Sequence, residues 1–220
     1  TIIWVHGLDS ERSGGEGKLE MMKEINDLGY SVLSFDLRGH GNSSDAPLGL
    51  GIREKNDIYG AIKFLNKNHD VKKIGLYGIS YGGVAVIDAA INYNNDDVEI
   101  VGIFSDTPYF SVTELLTKEV SDRTPIPHFI SKLLKFGIIQ SGELFQNMNI
   151  EDVEESMKRV NEIKFPIIII SCKNDERVPI SHPERVYSYS KNSKYVAFDY
   201  CEDHGEAYET CLLYTSPSPR

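Results

Sequence analysis

The stretch Gly78-Ile79-Ser80-Tyr81-Gly82-Gly83 sets a serine between two glycines, where a β-rich run ending at Ser80 meets an apolar helical pattern beginning at Tyr81. This is the strand–turn–helix context of a G-x-S-x-G nucleophile elbow, in which a strained turn exposes the serine hydroxyl. Gly78 and Gly82 fall where strand and helix approach too closely for a β-carbon. A serine hydroxyl is a weak nucleophile, so Ser80 needs a base, and an imidazole base needs a carboxylate to hold its tautomer. Of the six histidines, His204 follows the last β-rich run, in Glu202-Asp203-His204-Gly205-Glu206, and His182 stands behind it as an alternative. Asp175 follows the run Phe165 to Cys172, with Glu176 and Asp106 as substitute acids. An oxyanion would need backbone donors. The N–H of Tyr81 opens the helix after the elbow, and that of Leu8 follows the turn His6-Gly7. His6 is read as a brace for that loop.

These residues must be positioned by elements that the hydropathy pattern outlines. Six short β-rich runs lie at Thr1 to His6, Ser31 to Asp36, Lys73 to Ser80, Val98 to Asp106, Phe165 to Cys172 and Lys194 to Tyr200. Helical spacing recurs through Met21, Ile25 and Leu28, through Ile58, Ala61, Ile62 and Leu65, and over Tyr81 to Asn92 and Ile150 to Ile163. Alternating strands and helices with nearly continuous apolar strands predict an α/β fold, a mostly parallel sheet of about six strands covered on both faces. Residues 107–148 interrupt the alternation with Pro108, Pro125, Pro127 and the apolar set Ile126, Phe129, Ile130, Leu133, Leu134 and Phe136, and read as a small helical cap. Each candidate chemical group then sits just beyond the end of a strand.

The length of 220 residues suits one domain, read as residues 1–210. With 40% hydrophobic and 25% charged residues the chain is of ordinary globular composition. A net charge of −10 disfavours nucleic acid and anionic lipid as partners. No apolar run is long enough to span a membrane. The β-rich opening at Thr1 leads to the expectation that further strands precede it. Residues 211–220, Cys-Leu-Leu-Tyr-Thr-Ser-Pro-Ser-Pro-Arg, match a translated transposase adapter of sequencing libraries and are set aside from the fold. Cys172 and Cys201 then remain, read first as small buried thiols in a reducing, cytoplasmic compartment, with a disulfide between them as the alternative that no spacing supports. Gly14 to Leu19 imitates a phosphate loop, but its first glycine would fall at Arg12 and its hydroxyl residue at Leu19. Gly49-Leu50-Gly51 lacks the third glycine of a dinucleotide site and follows no strand.

Taken in order, Val5-His6-Gly7, Phe35-Asp36-Leu37-Arg38-Gly39-His40-Gly41-Asn42-Ser43, the elbow, Asp175 with Val178-Pro179, and Asp203-His204-Gly205 resemble the alpha/beta-hydrolase superfamily. Ser105-Asp106-Thr107-Pro108-Tyr109 and the short cap are similar to an esterase-like or peptidase-like subgroup of its serine hydrolases. The resemblance implies hydrolysis of an ester, thioester or amide through an acyl-enzyme, with Ser80, Asp175 and His204 as triad and no cofactor or metal. It implies a small-molecule ester or acyl substrate, with Tyr109, Ile126, Phe129 and Val178 expected to line the pocket. An aminopeptidase-like or acyl-peptide hydrolase and a non-catalytic binding protein of the same fold are the alternatives. The motif Arg38 to Ser43 is expected to brace the pocket rim rather than to move protons.

Overall fold

A computed structural model describes residues 1–15, 17–123, 137, 140, 149–199, 201 and 204–208. In chain order the elements are β1 (Ile2–Val5), α1 (Lys18–Asp27), β2 (Val32–Ser34), α2 (Lys55–His69), β3 (Lys73–Ile79), α3 (Tyr81–Asn92), β4 (Glu99–Asp106) and α4 (Val112–Arg123). They are followed by α5 (Asp152–Lys158), a 3-10 turn (Val160–Glu162), β5 (Ile167–Cys172), α6 (Ser181–Tyr189) and β6 (Ser193–Phe198). The strands form one six-stranded sheet in the order β2-β1-β3-β4-β5-β6. Every pairing is parallel. Parallel neighbours require crossovers, and the intervening helices supply them.

The α/β class and the six strands agree with the sequence pattern, with strand ends within two residues of those expected. Two helical assignments differ. The span Ile150 to Ile163 divides into α5 and the 3-10 turn, with Arg159 between them. Helix α6 was not anticipated, because it carries Pro183 in its first turn and buries only His182, Pro183 and Val186. Proline is tolerated there, since first-turn amides lack an intrahelical acceptor in any case. Of the expected cap, α4 is described, while Pro125, Ile126, Pro127, Phe129, Ile130, Leu133, Leu134 and Phe136 lie outside the described residues. So do residues 211–220.

The core sits where α3 crosses the sheet. Val84, Ala85, Val86, Ile87 and Ala89 are fully buried against Ile3, Val5, Ile74, Leu76, Ile103 and Ile169. Burying one such aliphatic side chain stabilises by about 1.5–3 kcal/mol, so this helix is held firmly on the strands that carry the site. Asp88, on the same helix, is buried but paired: Lys55 Nζ lies 3.0 Å from Oδ2 and Ser156 Oγ donates to Oδ1 at 2.5 Å. That cluster ties α2 and α5 to α3. The strand order brings the carboxyl ends of β1, β3, β4, β5 and β6 to one edge, from which the segments bearing Gly7, Ser80, Asp106, Asp175 and His204 emerge.

Candidate active site

Ser80 has φ 54° and ψ −113°, a left-handed backbone setting that a side chain rarely adopts. Its N–H donates to Asp106 O at 2.7 Å and its carbonyl accepts the Val84 N–H at 3.1 Å, so the turn is locked between β4 and the first turn of α3. The flanking glycines are required sterically. A β-carbon on Gly78 would lie 2.2 Å from Gly82 O, and one on Gly82 would lie 2.3 Å from Val5 O and 2.6 Å from His6 O. The spacing read from the sequence is thus the spacing at which strand, turn and helix make backbone contact.

His204 and Asp175 meet although 29 residues separate them, with His204 Nδ1 at 2.6 Å from Asp175 Oδ2. The other carboxylate oxygen, Oδ1, accepts the N–H groups of Arg177 at 2.9 Å and Val178 at 2.8 Å. Both oxygens of Asp175 are therefore engaged, and the carboxylate is held in one orientation toward the ring. Glu176, one of the substitute acids, is exposed. A cavity of about 140 Å³ is lined by Ser80 and His204 together with Trp4, Gly7, Leu8 and Lys18, among others, and Arg177 also borders it. Tyr81 begins α3 directly after the serine, its ring buried. Tyr109 and Val178 are buried as well: the Tyr109 hydroxyl donates to Leu50 O at 2.9 Å, and Val178 packs in the main core. Neither lines this cavity, and Ile126 and Phe129 lie outside the described residues.

Several charged and ionisable side chains surround the site. His6 donates from Nδ1 to Gly7 O at 2.7 Å and accepts the Leu37 N–H at Nε2 at 3.0 Å. Burial lowers its pKa. Asp36 lies two residues before the Arg38 to Ser43 motif. Burial would raise its pKa, but the N–H groups of Asn42 and Arg12 and the Arg12 guanidinium outweigh that, and it lies lowered. Arg38 forms a two-toothed pair with Asp57, at 2.9 and 2.8 Å. Asp106 is entirely buried beneath the elbow, accepting from the Thr107 hydroxyl at 2.8 Å and the Tyr77 hydroxyl at 3.3 Å. Burial raises its pKa against the opposing influence of Thr107, Lys18 and His204. His182 is also buried, its Nδ1 accepting the N–H groups of Phe110 at 3.2 Å and Ser111 at 3.4 Å, and burial lowers its pKa. This ring fastens α6 to the segment after β4, far from the role of a second base.

One expectation is overturned. Cys172 and Cys201 are not separate thiols but a disulfide, with Cα atoms 6.0 Å apart. Parallel pairing of β5 with β6 sets Cys172 opposite Phe198, so the next residues of both strands run side by side. The ground for expecting a reducing compartment goes with the free thiols. Two further contributors escaped the sequence reading. Asn174 pairs through its amide with the backbone of Cys201, and Lys18, nearly buried, donates from Nζ to Gly205 O at 2.8 Å across 187 residues.

Comparison with known proteins agrees with this architecture. The chain is 26% identical to the uncharacterized protein YqkD of Bacillus subtilis, over 94% of this chain and 64% of that protein. It is 21% identical to the zebrafish (Danio rerio) lysophosphatidylserine lipase ABHD12, over 88% of this chain and 48% of that one. The chain thus spans about half to two-thirds of the length of these relatives. Among solved structures, the Pyrococcus furiosus esterase Pf2001 superposes with a TM-score of 0.73 at 22% identity, covering 95% of this chain and 76% of that one. The monoacylglycerol lipase of Paleococcus ferrophilus gives 0.64 at 22%, covering 97% and 92%. At these identities the two structures speak for the fold. The family profile described as "Serine aminopeptidase, S33" matches residues 1–138. That match takes in more than half of the chain, including the β3–turn–α3 unit around Ser80, and the chain accordingly belongs to the S33 serine aminopeptidase family of alpha/beta hydrolases.

Proposed function

We propose that the protein is a serine hydrolase that cleaves carboxylic esters of small molecules through an acyl-enzyme, with Ser80 as nucleophile, His204 as general base and Asp175 as its orienting carboxylate. The observation that carries the reading is the 2.6 Å contact of His204 Nδ1 with Asp175 Oδ2, made by a ring that lines the same cavity as Ser80. Donation from Nδ1 to the carboxylate fixes the tautomer and makes Nε2 the basic nitrogen. In the reaction Nε2 takes the Ser80 proton as Oγ bonds to the acyl carbon. The carbonyl oxygen becomes an oxyanion facing the N–H groups of Leu8 and Tyr81, each such donor contributing about 3 kcal/mol to the transition state. The imidazolium then protonates the leaving alcohol, and water reverses the sequence on the acyl-enzyme.

The family's description also raises an amide-cleaving aminopeptidase. Such an enzyme must grip a substrate ammonium, which calls for a carboxylate at the cavity. The described residues lining the cavity include Lys18 and Arg177 and no Asp or Glu, which favours esters. The names of the esterase and lipase relatives point the same way. Labelling by a fluorophosphonate probe tests the nucleophile, and a panel of p-nitrophenyl esters against aminoacyl amides tests the substrate class. Ser80→Ala is expected to abolish both labelling and ester turnover while leaving the fold intact. Persistent labelling of that variant would move the nucleophile elsewhere, and faster turnover of the amides would reverse the choice of substrate.

A further inference from the structure

We propose that the Cys172–Cys201 disulfide is a positioning clamp for the Asp175–His204 pair, so that a dithiol that opens it lowers turnover without unfolding the protein. The inference rests on the acid and base roles just set out. Its basis is where the bridge stands. Each cysteine precedes its partner in the reaction by three residues, Cys172 before Asp175 and Cys201 before His204. The bridge therefore joins the roots of both loops.

The two segments form a ladder that begins in the sheet and ends in the site. Beyond the last paired residues, Cys172 and Phe198, the Lys173 N–H donates to Phe198 O at 2.9 Å. Asn174 Nδ2 then donates to Cys201 O at 2.8 Å, while the Cys201 N–H donates to Asn174 Oδ1 at 3.0 Å. The final rung is the contact of His204 with Asp175. The loops differ in their own anchorage. On the acid side Asp175 is held by the amides of Arg177 and Val178. On the base side the hydrogen bonds from Asn174 to Cys201 and from Lys18 to Gly205 hold the backbone, and such bonds exchange with water whenever the segment moves. The disulfide does not exchange. It confines the start of the base loop to a fixed distance from the acid loop, and a displacement of about 1 Å at a reacting group can cost about a hundredfold in rate.

Both cysteines are only 2% exposed, so reduction requires local opening and a small reagent. A thiolate of the dithiol attacks one bridge sulfur, the S–S bond breaks, and the second thiolate, taking proton-free form in turn, displaces the protein from the mixed disulfide. Two electrons pass from the dithiol, which leaves as a disulfide, and the two protein sulfurs take up protons as thiols.

The test uses the full chain purified without reductant, with dithiothreitol as the probe and the state of Cys172 and Cys201 read by alkylation and peptide mapping. Three signals are followed: kcat and KM on p-nitrophenyl butyrate, far-ultraviolet circular dichroism, and the low-field proton resonance of the His204 Nδ1–H, assigned by its loss in Asp175→Asn. Reduction is expected to lower kcat roughly 10- to 100-fold with KM within about twofold, to weaken the low-field resonance, and to leave the dichroism unchanged. Reoxidation restores all three. The double variant Cys172→Ala/Cys201→Ala is expected to start at the reduced rate and to ignore dithiothreitol. Full reduction with kcat and the resonance unchanged overturns the proposal. So does a parallel loss of dichroism, which would make the bridge a staple of the whole fold, and so does finding both cysteines as thiols even after treatment with oxidised glutathione. If the oxidised protein shows neither turnover nor fluorophosphonate labelling, the hydrolase reading fails by itself. The resonance still judges the clamp, which falls if the signal survives reduction.

Discussion

Substituting Gly82 by alanine puts one methyl group where β1 and α3 touch. Its β-carbon would stand 2.3 Å from Val5 O and 2.6 Å from His6 O, whereas ordinary contact begins at 3.4 Å. Both obstacles are backbone carbonyls, so no rotamer change relieves them, and α3 or the end of β1 must retreat by about 1.1 Å. The first movement shifts Ser80 and the Tyr81 amide; the second shifts Gly7 and Leu8. Either one misaligns nucleophile and oxyanion donors by the amount that costs about a hundredfold in kcat, or about 2.7 kcal/mol of transition-state stabilisation. Overpacking adds about 1–3 kcal/mol of lost stability. The matched control is Gly60→Ala, on the exposed side of α2, where an added β-carbon meets nothing within 4 Å. That variant is expected to gain about 0.5–1 kcal/mol through the better helix propensity of alanine, with unchanged activity. Initial rates on p-nitrophenyl butyrate and thermal denaturation of the three proteins decide the matter. A Gly82→Ala enzyme within threefold of the parent rate and with its melting temperature would refute the steric account of the elbow.

Asp175→Asn should lower kcat by about four orders of magnitude, since the ring loses the partner that sets its tautomer; a loss under tenfold would transfer the role to Asp106 or Glu176. Acid should destabilise the fold below pH 6.5, because His6 and His182 have their pKa values lowered by burial. Between the folded value and 6.5 the unfolded chain binds more protons, so the stability is complete above 6.5 and declines as the pH falls through that window. The melting temperature should therefore be lower at pH 5.5 than at 7.5, and His6→Asn/His182→Asn should narrow the difference; an equal drop in that variant would assign the effect to other groups. Asp106→Asn should stabilise the protein at neutral pH relative to its effect near pH 4, because a raised carboxyl pKa means that ionising Asp106 opposes folding as the pH rises above its ordinary value. Denaturant titrations at the two pH values measure this, and a larger benefit in acid would contradict the sign.

What could be read along the chain was local. The elbow is legible because its constraint is the contact of residues four apart, and β3 and β5 are legible as apolar runs because most of their residues are buried, while β4 is apolar even at Val101 and Phe104, which are exposed. Asp175 and His204 were found by their place after strands rather than by any sign of one in the other. The rest depends on which strands lie side by side. Nothing within the residues near Cys172 announces Cys201 until β5 and β6 pair in register. Lys18 gives no hint of Gly205, since a lysine in the first turn of α1 ordinarily extends into water. Helix α6 was hidden by its own composition: its fastening to the core is a histidine ring receiving two amides, a polar anchorage to which apolar periodicity is blind.

The parallel neighbours β4 and β5 have a consequence for how such a protein changes over generations. Their register, from Ile103 opposite Ile167 to Asp106 opposite Ile170, is fixed by the strands themselves and closed by the Thr107 N–H on Ile170 O at 2.8 Å. The chain that leaves β4 and returns to β5 spans residues 107–166, and its length does not enter that register. Insertions, deletions or recombination between α4 and α5, clear of Thr107, Pro166 and the core residues Val153, Met157 and Val160, leave the ladder's hydrogen bonds in place, as well as the serine turn that hangs from Asp106 O. Selection can therefore rewrite what this stretch offers to an arriving molecule while the machinery at the sheet edge is inherited unaltered, so that preference and reactivity evolve as separable traits.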